Sequence, residues 1–301
     1  MPRFSIVEAP SPLGLWPSGV EHAPEVLLRV GLARTLGARR GVRLEPPEYD
    51  PVRDPTIGIL NPHAIAEYSL RLADAVGGVL DAGEFPVVLG GDCSILLGCV
   101  LALRRRGRYG LLFLDGHADF YQPQAEPNGE AASMDLALAT GRGPVILTDL
   151  EGLRPLVRDE DVVLFGYRDA IAAACQGSHD VRASSILALD LDRVRRIGIS
   201  AAAAETAQRL ATKDTAGFWI HLDVDVLDDA EMPAVDYRMP DGLSLAELTD
   251  VLRAAIDSGR AVGVNLTIFN PNLDPNRAIA RSLVACLARG LAGEMGVASA
   301  P

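Results

Sequence analysis

Three apolar runs in this 301-residue chain each end in a short acidic segment, which restricts both the fold and the chemistry. Pro86-Val87-Val88-Leu89 leads into Gly90-Gly91-Asp92-Cys93-Ser94, and Leu111-Leu112-Phe113-Leu114 into Asp115-Gly116-His117-Ala118-Asp119. Phe218-Trp219-Ile220-His221-Leu222 leads into Asp223-Val224-Asp225. Each run reads as a buried strand, and parallel α/β sheets gather their chemistry at strand ends. The segments offer the carboxylates of Asp115, Asp119, Asp223 and Asp225, the imidazole of His117 and the thiol of Cys93. Carboxylates held that close repel one another, and divalent cations are their natural neutraliser. The pattern therefore reads as a metal site. The bland alternative is that the acids are helix caps or solvated turn residues, which serves for one of them but not for the joint pattern.

Helical and strand patterns alternate from end to end, as expected of a mostly parallel sheet covered on both faces. Helices are expected over 24–37, 63–82, 94–106, 201–210, 244–258 and 275–290, and strands over 87–89, 111–114, 145–147, 162–165, 186–189, 218–222 and 261–267. Ser244-Leu245-Ala246-Glu247 has the spacing of a capping box, and Asp274-Pro275 reads as an N-cap followed by a proline at the first helical position. No composition break, linker or repeat divides the chain, so residues 1–301 are expected to form one domain.

A net charge of −12 argues against nucleic acid as a partner, because phosphates would be repelled. No basic amphipathic stretch points to a membrane surface, and Gly90, Gly91 and Asp92 break the one apolar segment of near-spanning length, 85–103. The first residues lack the apolar core of a secretion signal, and four cysteines without paired spacing suit a reducing compartment, so a cytoplasmic location is expected. Oxygen-rich ligation with a single imidazole suits a hard cation such as Mn²⁺ better than a structural zinc.

The ordered segments resemble those of the ureohydrolase superfamily: arginase, agmatinase, formimidoylglutamase and guanidinobutyrase. That family carries Gly-Gly-Asp-His-Ser, Asp-x-His-x-Asp and Asp-x-Asp in this order. The likeness extends from Gly19-Val20-Glu21-His22-Ala23-Pro24 to Asn270-Pro271. It implies a three-layer α/β/α fold with a central, mostly parallel sheet of about eight strands. It also implies two cations, the first on Asp115, Asp119, Asp223 and position 93, the second on Asp115, His117, Asp223 and Asp225. A hydroxide between them would attack a guanidinium or amidine carbon of a small molecule, with Asp119 counted among the catalytic groups. A homo-oligomer (dimer, trimer or hexamer) is the expected assembly.

The departures from the family are equally specific. Position 93 is Cys where the family has His, leaving two readings: a thiolate ligand, or a buried bystander beside a single cation. The family's catalytic-loop histidine aligns with Ala132 and its guanidinium-binding glutamate with Ile268. Its carboxylate-binding asparagine aligns with Tyr121 and a second acidic contact with Ile171. The family contacts to arginine are mostly gone, so the expected substrate is a guanidino or amidino compound other than L-arginine. His221, two residues before Asp223, is a candidate replacement proton carrier or extra ligand; the alternative is a strand histidine bonded to a neighbour. Tyr121, Glu130, Asp135, Tyr237 and Arg238 are candidate substrate contacts in loops expected to roof the site, or else plain surface residues. Two other functions compete: a single-metal amide hydrolase of the deacetylase kind, and a degenerate binding or regulatory subunit.

Overall fold

The computed structural model describes residues 2–293. Its core is one eight-stranded sheet in which every pairing is parallel. The strands are β1 (Phe4–Ala9), β2 (Arg39–Arg43), β3 (Phe85–Gly90), β4 (Gly110–Leu114), β5 (Val162–Phe165), β6 (Leu187–Leu189), β7 (Phe218–Asp223) and β8 (Ala261–Thr267). They lie in the order β2-β1-β3-β8-β7-β4-β5-β6. The chain runs to one edge, jumps from β3 to β4 across two places, and returns through β7 and β8 to fill them. Ligand sites in such sheets form where strand order reverses, and here that is the carboxyl end of β3, β8, β7 and β4.

The interior strands β3, β4, β5 and β7 are buried at every residue, which is why they carry unbroken apolar runs. Alternate β7 side chains enter opposite cores. Phe218, Ile220 and Leu222 join one with helices Leu245–Asp257 and Ala278–Ala292, while Trp219 joins the other with helices Pro62–Asp81 and Leu96–Arg104. The same alternation brings His221 and Asp223 to one face of the sheet.

Several local expectations need correction. The segment 145–147 is a helical turn, Val145–Thr148, not a strand; three apolar residues behind extended Pro144 are too few to specify either state by periodicity. β1 and β2 escaped the pattern because β1 carries Ser5 and Glu8, while the edge strand Arg39-Arg40-Gly41-Val42-Arg43 is exposed throughout. Charge on an edge strand discourages pairing with another chain. The helix expected over 24–37 is two helices, Ala23–Arg29 and Leu32–Leu36, separated at Gly31, whose φ of 104° only glycine readily adopts. The capping box at Ser244 and Glu247 forms as expected. The last helix starts at Ala278, later than Pro275, yet Asp274 still caps it by accepting from the N–H groups of Ile279 and Ala280. Among the described residues no helix is long and apolar enough to cross a membrane.

Candidate metal centre

Each acidic segment turns sharply off its strand, and backbone contacts fix the turn. After β3, Asp92 accepts from Gly14 N–H and Ser94 N–H, which orients the short turn Cys93–Ile95. Gly91 is required there: a Cβ would sit 1.9 Å from the Ser11 carbonyl oxygen. After β4, Asp115 Oδ1 accepts from His117 N–H at 2.6 Å, and Gly116 N–H donates to Asp225 Oδ1 at 3.0 Å. A Cβ on Gly116 would strike the Asp225 carbonyl, so this glycine lets the ends of β4 and β7 close together. After β7, Asp223 Oδ1 accepts from Asp225 N–H at 2.8 Å.

These turns bring the side chains together. Ligand atoms of Cys93, Asp115 and Asp223 lie within 4.8 Å of one another, as do those of Asp115, His117 and Asp119. His117 Nδ1 is 2.9 Å from Asp225 Oδ2. Cys93 Sγ donates to Asp223 Oδ2 at 2.8 Å and contacts Thr267 Oγ1 at 3.2 Å. Asp119 reaches the group from a left-handed turn (φ 45°), which aspartate tolerates better than most residues. Ile268, whose N–H donates to the Gly91 carbonyl, has φ 69°, a conformation costly for a β-branched side chain; such outliers cluster at functional sites.

The electrostatics are those of a bed prepared for positive charge. Burial, then Asp225, pushes the Asp115 carboxyl up to about 7. Burial and neighbouring acids hold Asp119 and Asp223 well above the usual carboxylate range. Burial raises the Cys93 thiol, and Asp223 adds to it. For His117 burial works to release the proton, but Asp225 and Asp115 outweigh it and raise the imidazole well above its ordinary value. Asp225 is the exception: burial is outweighed by His117 and the Gly116 N–H, and it falls below the usual range. Asp115 Oδ2 is buried with no hydrogen-bond partner among the described residues. Oxygen-rich donors, a deeply buried unpartnered carboxylate oxygen and surplus protons together fit a divalent cation.

The group forms the floor of a cavity of about 510 Å³, lined by Cys93, His117, Asp119, Asp223 and Asp225. Of the substrate-contact candidates, Tyr121, Glu130, Tyr237 and Arg238 also line it. Tyr237 donates to Glu130 Oε2 at 2.8 Å, and its ring meets His117 edge-on at 6.5 Å. Tyr121 donates to Gln176 Oε1, and Arg238 donates to Asp229 at the exposed rim.

Two expectations fail. Asp135 does not roof the cavity; it opens the helical turn Asp135–Ala139, whose Leu136 and Leu138 pull it into the core behind the floor. His221 does not line the cavity either. Its ring stacks on Phe113 at 4.4 Å and bonds Asn265 at 2.8 Å, as the alternative of a strand histidine bonded to a neighbour had it, and not as a proton carrier lining the cavity. The sequence reading also missed Arg168 and Asp169. Arg168 donates to the carbonyls of Asp225, Val226, Leu227, Met239 and Pro240, tying the β7 turn to the loop that carries Tyr237. Asp169 lines the cavity; its Oδ1 accepts from Ala118 N–H, while its Oδ2 is buried and without a partner among the described residues. The signal was available: Gly166-Tyr167-Arg168-Asp169 follows β5 as the other acidic segments follow their strands.

Comparison with known proteins agrees with this architecture. The arginase of Staphylococcus aureus (strain COL) is 28% identical over 293 residues, covering 94% of each chain. The arginase of Bacillus caldovelox is 29% identical over 303 residues, covering 95% of this chain and 97% of that one. Its crystal structure superposes with a TM-score of 0.86 at 26% identity, covering 97% of this chain and 99% of that chain. The arginase family model matches residues 3–293. With a parallel sheet of that family's form, clustered acids at its switch point and a family match along nearly the whole described chain, this protein is a member of the arginase family, a family of metal-dependent hydrolases.

Proposed function

We propose that this protein hydrolyses a C–N bond of a small guanidino or amidino compound other than L-arginine, using one or two Mn²⁺ ions. The observation that carries the reading is the convergence of His117, Asp119, Asp223 and Asp225, with the buried Asp115 beneath them, at the floor of a cavity whose lining includes seven acids. Such a cavity favours a cationic, planar, hydrogen-bond-donating substrate head. Asp115, His117, Asp223 and Asp225 would hold one cation; Asp115, Asp119, Asp223 and the Cys93 thiolate would hold the other. When bound, the cations lower the pKa of water and stabilise developing negative charge. The lining acids that hold no cation in this reading, Glu126, Glu130, Asp169 and Asp236, are the candidates to hold the substrate's positive head.

The substrate proposal rests on what stands at the family's arginine contacts. Ile268 offers an apolar wall, Ala132 no proton carrier, and Tyr121 a ring already bonded to Gln176. The relatives named above are arginases, so the test must include arginine directly. Purified protein loaded with Mn²⁺ should release urea or ammonia from at least one guanidino or amidino compound with kcat/KM about tenfold or more above that for L-arginine. Preference for L-arginine would end the substrate proposal; no turnover of any compound by metal-loaded protein would favour a binding or regulatory role.

Cys93→Ser tests the number of cations. If the thiolate is a ligand, elemental analysis should show two cations per chain falling towards one, with the His117–Asp225 site still filled. Cys93→His should tighten Mn²⁺ at the first site. One cation in both the parent protein and Cys93→Ser would make Cys93 a bystander and the centre mononuclear.

A further inference from the structure

Behind the cavity floor, four buried polar atoms have no hydrogen-bond partner among the described residues: Asp115 Oδ2, both carboxylate oxygens of Asp135, and His221 Nε2. His221 Nε2 lies 3.8 Å from Asp135 Oδ2 and 4.0 Å from Asp115 Oδ2. Ligand atoms of Cys93, Asp135 and His221 all lie within 4.8 Å of one another, the outward form of a further cation site. The opposite edge of the imidazole ring excludes that reading. Trp219 Nε1, an indole N–H that can only donate, is 2.7 Å from Asn265 Oδ1. This bond fixes the Asn265 amide and turns its N–H₂ group to His221 Nδ1 at 2.8 Å. Nδ1 therefore accepts, and the ring proton sits on Nε2. A nitrogen carrying that proton has no lone pair for a cation, but it is a directed donor facing carboxylate oxygens.

We infer that His221 is a positioning residue for the metal bed: its Nε2–H, fixed by Trp219 and Asn265, holds the outer oxygen of Asp115 against Asp135. This rests on the proposed cation-binding role of Asp115. Each carboxylate oxygen has two lone pairs, so Asp115 keeps capacity for the cavity side while its rear is held. The gaps of 3.8 and 4.0 Å are long for hydrogen bonds. Contacts in such sites tighten when the site is loaded, and a closing shift of under about 1 Å suffices. The other polar atom near the ring, Cys93 Sγ, already donates to Asp223, and Phe113 covers the ring face. Neither Asp135 nor His221 was expected to act this way from the sequence. The pair is legible only once the turn after Met134 is seen to fold inward.

The test uses the full chain. Histidine ¹⁵N NMR of the metal-free and Zn²⁺-loaded protein should find His221 protonated at Nε2 and unprotonated at Nδ1 in both. Asn265→Asp, which gives Nδ1 an acceptor, should move a proton to Nδ1. Mn²⁺ affinity provides the second readout. His221→Leu should lose about 10- to 100-fold, the usual cost of removing a partner behind a metal ligand. His221→Gln, whose amide N–H reaches the same point, should stay within about threefold of the parent protein. Metal-shifted Nε2 with a protonated Nδ1 would make His221 a ligand and overturn the inference. Equal affinities for His221→Leu and the parent protein would also overturn it. If His221→Leu does not fold, a loss in His221→Gln as large as that from deleting a ligand does the same. A parent protein that binds no cation would instead defeat the underlying reading of Asp115, a failure seen before any variant is compared.

Discussion

Asp115→Asn should strip the centre of bound cation and reduce hydrolysis by about a thousandfold or more, the scale of the several kcal/mol that cations supply to such reactions. Asp115 stands at the crossing point of the site. It belongs to two ligand clusters, one with Cys93 and Asp223 and one with His117 and Asp119, and its Oδ2 is buried without a partner among the described residues. The same substitution should raise the stability of the metal-free protein, by on the order of 1–2 kcal/mol, because functional sites are held in arrangements that folding alone disfavours. Burial and then Asp225 push the Asp115 carboxyl up to about 7, so its charge is costly in the absence of a cation. The amide retains an oxygen to accept from His117 N–H, which preserves the turn. Elemental analysis, substrate turnover and thermal melts in EDTA measure the three effects. Full cation occupancy in Asp115→Asn would remove Asp115 from the ligand set, and a lower melting temperature in EDTA would mean that its charge is needed by the fold itself.

What the sequence could reveal depended on whether each feature was local. The interior strands announced themselves because a strand covered on both faces must be apolar throughout, and acids immediately after such a run have few structural uses. Asp115, His117, Asp119, Asp223 and Asp225 were therefore legible as a group from position alone. β1 and β2 were not. Ser5 and Glu8 interrupt the apolar pattern of β1, and Glu8 is matched only by Arg40 and Arg43 on the neighbouring strand. That compensation is made across the sheet and leaves no periodic trace in the chain. The same holds for His221. Its spacing from Asp223 correctly gave the face of the sheet, but the donor on Asn265 and the stack on Phe113 come from other strands, so its orientation could not be read. Asp135 was misjudged because a loop acid is ordinarily exposed, and only the inward turn at Met134 makes it a core residue. Arg168 shows the reverse: a cation beside an acidic site invites a substrate role, yet its guanidinium is spent on five backbone carbonyls that hold the loops in place.

The metal-free protein should lose stability as the pH rises from about 5 to about 8, and Mn²⁺ should reverse the slope. Asp115, Asp119 and Asp223 all take up protons more readily in the folded state than in the unfolded chain. For a carboxyl whose folded pKa is raised, the stabilisation is complete below the ordinary value near 4 and is lost as pH rises through the folded value, which for Asp115 is about 7. His117 is also raised, so its contribution is present below the ordinary imidazole value and fades above it, with the same sign. Asp225 is lowered, and its contribution is lost only as pH falls through its folded value, below this window. Each proton held by the folded state alone contributes a slope of about 1.4 kcal/mol per pH unit. Coupling among the four groups spreads that loss over the whole range and does not change its direction. A cation must displace these protons to bind, so its affinity grows with pH. At a hundredfold excess over Kd it adds about 2.7 kcal/mol to the folded state. Melting curves in EDTA and in Mn²⁺ should therefore diverge as the pH is raised, with the largest separation near pH 8. Parallel curves, with metal content verified in each sample, would show that the buried acids do not form a cation site and that their charge is neutralised within the protein itself.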